Sequence, residues 1–370
     1  MLNIRSFTAL CVVTLCVAIA AVVESEDSGA IPGSGKPLFP GLMPRLNEIE
    51  MVQLENATGR FVLKRTKTGW MVPDKFDYPA DADKVHKLLL GAAGLTRVEP
   101  KTQNPALYSR LGLAAIGDEA SKAMSYRLES SDESAIATLT VGNSAPAKGD
   151  PELSEFYVRV PDDPQIWLVE GKLPRGNTLI EWVARSVVGI DRRRVREAQV
   201  KHESGEIVSV IRESPLKDDF QLPNAPASKT VDAQWKLNDI GRLFSNLELE
   251  DVRPRDQAPL QGEPAFIVTM RTFDGLEIRM KVFGIGDEAL GILEAEFLPA
   301  RVATEAKIEA MADAKESLRS VEEVRAEVAA LNARWDGWAY VLPAFKVDAM
   351  ARTQSELSKD QTQEKKPDQG

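Results

Sequence analysis

The sequence predicts an α+β fold built from two similar halves, each a mostly antiparallel sheet with a packed helix. An N-terminal membrane helix precedes them, and a long amphipathic helix lies in the second half. Three observations predict this. An uncharged apolar run lies near the N-terminus, one succession of strand, turn and helix signals occurs twice, and an Ala- and Glu-rich stretch near the C-terminus has helical apolar spacing.

The apolar run is Phe7 to Val23, with Arg5 ahead of it and Glu24, Glu26 and Asp27 behind. This charge order places the N-terminus on the cytoplasmic side and the long C-terminal part outside, as a single-pass inner-membrane protein with a periplasmic ectodomain. A cleaved secretory signal is the competing reading, with Ala18 and Ala20 as its small-residue site. The run continues through Val23, which favours a retained anchor. Cys11 and Cys16 both lie inside it and both follow Leu, so a lipoprotein site is not indicated.

The remaining residues contain no cysteine, which excludes disulfides, thiolate metal sites and a cysteine nucleophile there. A net charge of −10 argues against nucleic acid as a partner. Beyond the anchor, roughly 320 residues exceed the usual single-domain size, so two halves are expected. Residues 24–38 read as a flexible linker, 39–176 as the first repeat, 177–350 as the second and 351–370 as a disordered polar tail.

The first repeat opens with strand-like runs from Ile49 to Leu54, Phe61 to Arg65 and Trp70 to Val72, separated by turns at 56–59 and 67–69. Asp81 and Asp83 then supply cap chemistry for a helix carrying Val85, Leu88, Leu89 and Ala92. The second repeat gives Arg194 to Val200, Ile207 to Arg212 and Phe220 to Leu222, with Phe220 in the place of Trp70. Asn238 takes the place of Asp83, and Ile240, Leu243, Phe244 and Leu247 repeat the apolar face.

Strand-like runs follow each helix. A Phe273-Asp-Gly275 turn predicts a hairpin between Ala265 to Thr272 and Leu276 to Phe283. Asn177 to Val188 reads as a short helix at the boundary. Residues 303–335 read as one long amphipathic helix, packed on its own sheet or docking a partner. Trp335, Trp338, Tyr340 and Phe345 then alternate as a closing strand with an aromatic face.

These elements together resemble the domain-of-unknown-function 4340 family of bacterial proteins. The resemblance is carried by Phe39 to Leu42, Gly69-Trp70, Pro79 with Asp81 and Asp83, Tyr108 to Leu113, Thr140-Val-Gly142, Trp182, and Gly337 to Pro343. It implies a membrane-anchored extracytoplasmic protein that accompanies gliding-motility-like ABC transporter components. It supplies no catalytic or ligand residues.

Chemistry-bearing motifs are scarce. His86 and His202 fall in different halves with no metal-ligand spacing, and no Gly-x-Ser-x-Gly elbow occurs. Gly33-Ser-Gly35-Lys36-Pro37 has Ala30 where a phosphate loop needs its first glycine, and Pro37 where it needs Ser or Thr. Asn56-Ala-Thr58 is a sequon in a tight turn. No carboxylate pair stands out for acid–base work, so no enzyme activity and no cofactor or metal are expected. Two surfaces are candidates for a ligand or partner. Arg192, Arg193 and Arg194 form the one compact basic cluster, and Trp335, Trp338 and Tyr340 are candidate stacking rings. Function is therefore expected to be that of a periplasmic accessory or scaffold protein, or of a module binding a small glycan or lipid.

Overall fold

A computed structural model describes residues 32–118, 121–148, 150–223, 229–284, 288–299 and 318–360. The chain divides into two compact units, which part between Val183 and Ala184. Among the described residues no helix is long and apolar enough to cross a membrane, and the predicted spanning segment 7–23 lies outside them.

The first unit opens with an antiparallel meander of β1 (Met51–Asn56), β2 (Gly59–Thr66), β3 (Gly69–Val72) and β4 (Tyr78–Pro79). Helix α1 (Ala82–Gly94) follows, then β5 (Thr96–Thr102) and a 3-10 turn, Pro105–Leu111. The unit continues with β6 (Met124–Glu129), β7 (Ala135–Pro146), β8 (Ser154–Arg159) and β9 (Ile166–Gly171). Among the described residues these strands form one sheet in the order β4-β3-β2-β1-β6-β7-β8-β9-β5. Strand β5 therefore lies at the edge farthest from the meander that precedes it in sequence. Alternation in β1 and β2 turns Val52, Leu54, Phe61 and Leu63 inward. The Asp81 side chain accepts from the Lys84 N–H at 2.9 Å and caps α1, as the sequence predicts. Val85, Leu88, Leu89, Ala92 and Ala93 are the helix's buried stripe, at about 1.5–3 kcal/mol for each large side chain removed from water.

The second unit contains β10 (Ser186–Val188), β11 (Val195–His202), β12 (Ile207–Ile211), β13 (Lys229–Val231) and helix α2 (Gln234–Gly241). After these come β14 (Leu247–Glu248), β15 (Asp251–Pro254), β16 (Phe266–Thr272), β17 (Leu276–Phe283) and β18 (Leu290–Phe297). Helix α3 (Val321–Trp335), β19 (Trp338–Val341), helix α4 (Ala344–Ala351) and β20 (Ser358–Asp360) complete it. Its main sheet has the order β12-β11-β16-β17-β18-β19-β15, which repeats β2-β1-β6-β7-β8-β9-β5 strand for strand. The predicted mostly antiparallel α+β architecture is thus present.

Several sequence expectations need correction. The last residues of the expected linker are not free. Gly35 donates to Arg97 O, Leu38 donates to Leu95 O, and the Leu38 side chain is buried against the unit. The boundary helix is a single 3-10 turn, Leu179–Trp182, followed by strand β10. Helix α2 starts at Gln234, so Asn238 sits inside it and caps nothing. Its side chain accepts from Phe220 N and donates to Asp219. A continuous helix from 303 to 335 is broken at Ser320, whose side chain caps α3 in a capping box with Glu323. Residues 303–317 lie outside the described residues. The closing strand is only Trp338–Val341, because Trp335 ends α3 and Pro343 opens α4. The expected tail is anchored by Leu357, which is fully buried, and by the pairing of β20 with β13; its last residues, 361–370, lie outside the described residues.

The predicted 273–275 turn joins β16 to β17, with Gly275 at φ 93°. It also holds Asp274, which meets Arg194 Nε at 2.7 Å. Glu327 of α3 grips the other side of the same guanidinium at 3.0 and 2.7 Å. Burial works against the Arg194 charge, but the hydrogen bonds to Glu327 and Asp274 outweigh it and hold its pKa above the ordinary value. Arg194→Ala leaves Asp274 without its cation and Glu327 with Arg319 alone. It is expected to destabilise the second unit by about 3–5 kcal/mol, read as a lower urea midpoint with hydrogen exchange accelerated in α3 and β16. An unchanged midpoint would show that the clamp does not hold α3.

Candidate binding cleft

The residues proposed as ligand contacts on sequence grounds do not assemble into a site. Arg194 is 2% exposed and is spent on Asp274 and Glu327. Arg192 lies 3.6 Å from Asp218, and the Arg193 N–H donates to Asp191 within a turn. The basic run is thus split: Arg194 is internal, while Arg192 and Arg193 are exposed. Trp335 is buried with Nε1 donating to Val187 O at 3.0 Å, Tyr340 is fully buried, and Trp338 is half-buried. Trp335 and Tyr340, enclosed in this way, cannot stack on a ligand. His86 is exposed on α1, and the His202 ring packs edge-to-face on Phe266 at 5.3 Å. Among the described residues no group of three His, Cys, Asp or Glu side chains is placed to hold a metal.

A cleft instead lies within the first unit, as two adjoining cavities of about 830 and 790 Å³ that share Ser144 and Arg175. The larger is polar. Its walls come from the β1–β2 turn, the start of β6, the far end of β7 and the segment after β9. The turn is fixed by its own side chains. Asn56 Oδ1 accepts from the Thr58 N–H at 2.8 Å, and Asn56 Nδ2 donates to Asn177 O at 2.9 Å. The Thr58 hydroxyl also lies 2.7 Å from Asn177 O. The sequon residues dismissed as a plain turn therefore tie the turn to the chain after β9.

Strand β7 shapes the opposite wall. Its register against β8 shifts between Val141 and Ser144, a bulge that turns Asn143 and Ser144 toward the cavity. Gly142 permits this bulge, because a Cβ there would come 2.2 Å from Leu111 O. Asn143 Nδ2 donates to Arg110 O at 3.2 Å, so the bulge is held from outside.

Arg175 is the hinge of the cleft. Nη1 donates to Gly142 O and Nη2 to Lys122 O, each at 3.2 Å, which joins β7, the lead into β6 and the segment after β9. These bonds use two of the guanidinium's five N–H groups. Below it the Tyr126 hydroxyl donates to Pro174 O at 3.3 Å. Burial pushes the Tyr126 pKa well above the ordinary phenol value against the pull of Arg175, so the phenol stays neutral. Lys122 is exposed at the cavity wall, and its ammonium is without a partner among the described residues.

The second cavity is more apolar and runs between α1 and the ends of β8 and β9. Leu90, 55% exposed, faces Leu153, Leu173 and Pro174 across it, and Gly91, Gly94 and Gly171 line its floor. A Cβ on Gly91 would come 2.0 Å from Lys172 O, so the glycine lets α1 lie directly against that backbone. Glu152 pairs with Lys172 at 2.6 Å, which holds the Glu152 carboxyl below its ordinary pKa and the Lys172 ammonium above its own. Across both cavities the basic side chains are Lys87, Lys122, Lys172 and Arg175, against the single carboxylate of Glu152. In a chain of net charge −10 this is a local reversal of sign.

Arg175→Ala removes two bonds that brace three segments. It is expected to destabilise the first unit by about 1–3 kcal/mol, whereas Lys122→Ala stays within about 0.5 kcal/mol. Thermal unfolding of the two variants checks this, and equal losses would contradict the assignment of Arg175 as the brace.

No curated protein and no solved structure matches the chain. The sequence profile of a domain of unknown function (DUF4340) matches residues 70–287, from Trp70 in β3 into the second unit. That match spans more than half of the chain, and the protein belongs to the DUF4340 family.

Proposed function

We propose that the protein is a binding subunit of the bacterial envelope, tethered to the inner membrane by residues 7–23 with its C-terminal part in the periplasm. In this reading it is an accessory or scaffold protein, not an enzyme, and it holds a small glycan or lipid fragment beside a gliding-motility-like ABC transporter. The observation that carries this is the first-unit cleft. Its walls offer hydrogen-bonding groups and the cations Lys122 and Arg175, of which Arg175 is braced by backbone carbonyls at 3.2 Å on two sides. Such groups are suited to holding a ligand.

We further infer that the two units descend from one duplicated unit, a reading supported by the register as well as the strand order. Leu54, Tyr126 and Leu139 stand opposite one another in the first sheet, and Val200, Val268 and Met280 do so in the second. Arg65 lies over the Trp70 ring at 5.3 Å, and Arg212 lies over the Phe220 ring at 4.9 Å. The copies differ at the cleft. Two residues beyond Leu54 is Asn56, and two beyond Val200 is His202. Met124 and Gly142 correspond by register to Phe266 and Phe283. Bulkier side chains thus stand at three positions that line the cleft in the first unit, which supports a specialised role for that unit.

Affinity purification of the full-length chain from membranes in several mild detergents tests the proposal. Co-purification of a transporter permease and ATPase, and a bound small envelope molecule in native mass spectra, are the expected results. A lone, ligand-free monomer in every detergent would overturn it.

A further inference from the structure

We infer that the first-unit cleft is a site for an anionic amphiphile, a single apolar chain carrying a phosphate or carboxylate head. The inference rests on the binding role proposed above and names its ligand class. Three observations converge on it. The two cavities adjoin through Ser144 and Arg175, so a ligand that fills both must be polar at one end and apolar at the other. At the polar end Lys122 has no partner among the described residues, and Arg175 keeps N–H groups beyond the two that its braces use. Two such cations lining one cavity favour an oxyanion over a neutral sugar, because charge-assisted bonds are shorter and stronger than neutral ones. At the other end Leu90 stays 55% exposed beside Leu153 and Leu173, which is apolar surface available to a chain. The Glu152 carboxylate stands at that apolar end and is already paired with Lys172, so it does not repel the head.

The head is assigned to Lys122 and Arg175 and the tail to the groove under Leu90. A phosphate head would come from a phospholipid fragment and a carboxylate head from a fatty acid, and the two share the same recognition. The test is calorimetric titration of the full-length chain, held in amphipol, with inorganic phosphate and with octyl phosphate, octanoate and octyl glucoside, the three amphiphiles each below its micelle concentration. One of the two octyl anions is expected to bind at least about tenfold more tightly than octyl glucoside and inorganic phosphate, and which one it is distinguishes the two sources. Lys122→Ala is expected to remove most of that advantage and leave octyl glucoside unchanged. Leu90→Gln is expected to weaken every octyl compound alike. Both side chains are exposed, and an unchanged melting temperature for each variant keeps folding out of the comparison. Octyl glucoside binding as tightly as the octyl anions, or Lys122→Ala without effect on them, would overturn the ligand class while leaving a binding role standing. No binding by any of the four would overturn both.

Discussion

The structure depends on where one strand goes. In the first unit β5 pairs with β9, at the opposite edge of the sheet from the β1–β4 meander that precedes it in sequence. Antiparallel neighbours are usually joined by tight turns. Here the chain must instead cross the sheet, and α1 is the segment that makes the crossing, with its apolar stripe pressed on the sheet. The chain then returns to place β6 beside β1. The same constraint operates through β15 and β19 in the second unit, with α2 as the crossing helix. Once the first helix is fixed, the ends of β8 and β9 lie beneath it, and the groove between them follows from topology.

Charge placement is the second theme. The acidic chain spends its internal charges in ion-pair networks: Arg194 with Asp274 and Glu327, and Arg271 with Glu197 and Glu277, extended outward by Arg319 and Arg279. Such sets fix geometry more than they add stability, because desolvation offsets most of the attraction. Around the cleft the basic side chains outnumber the acids, and part of that charge has no internal partner. A site for an anion is consistent with an acidic protein when the field is local, since exposed charges beyond about 8–10 Å are screened.

Much of the scaffold was legible because it follows from periodicity. Val85, Leu88 and Leu89 declare a helix by spacing, and Asp81 declares its start. The site was not legible, for definite reasons. Arg192 to Arg194 look alike in sequence, but only the third faces two carboxylates that are 80 and 133 residues away. Trp335, Trp338 and Tyr340 crowd together in sequence as a surface stripe would, although the first ends a helix and the other two belong to a strand. Asn56, Gly142 and Arg175 belong to no common motif, and only the fold brings them together. Gly142 stood within a family-like Thr-Val-Gly run, but nothing in that run marks a bulge.

One position in α1 sets the width of the groove. Gly94 ends the helix without a left-handed φ, and a Cβ built there meets nothing within 4 Å. Alanine would fit, and within a helix interior it would favour folding by up to about 1 kcal/mol. The glycine thus forgoes stability that was sterically available, and the empty space it keeps is part of the groove floor. A methyl group at this position would stand in that space, so the width of the groove at the end of α1 is set by a single hydrogen atom.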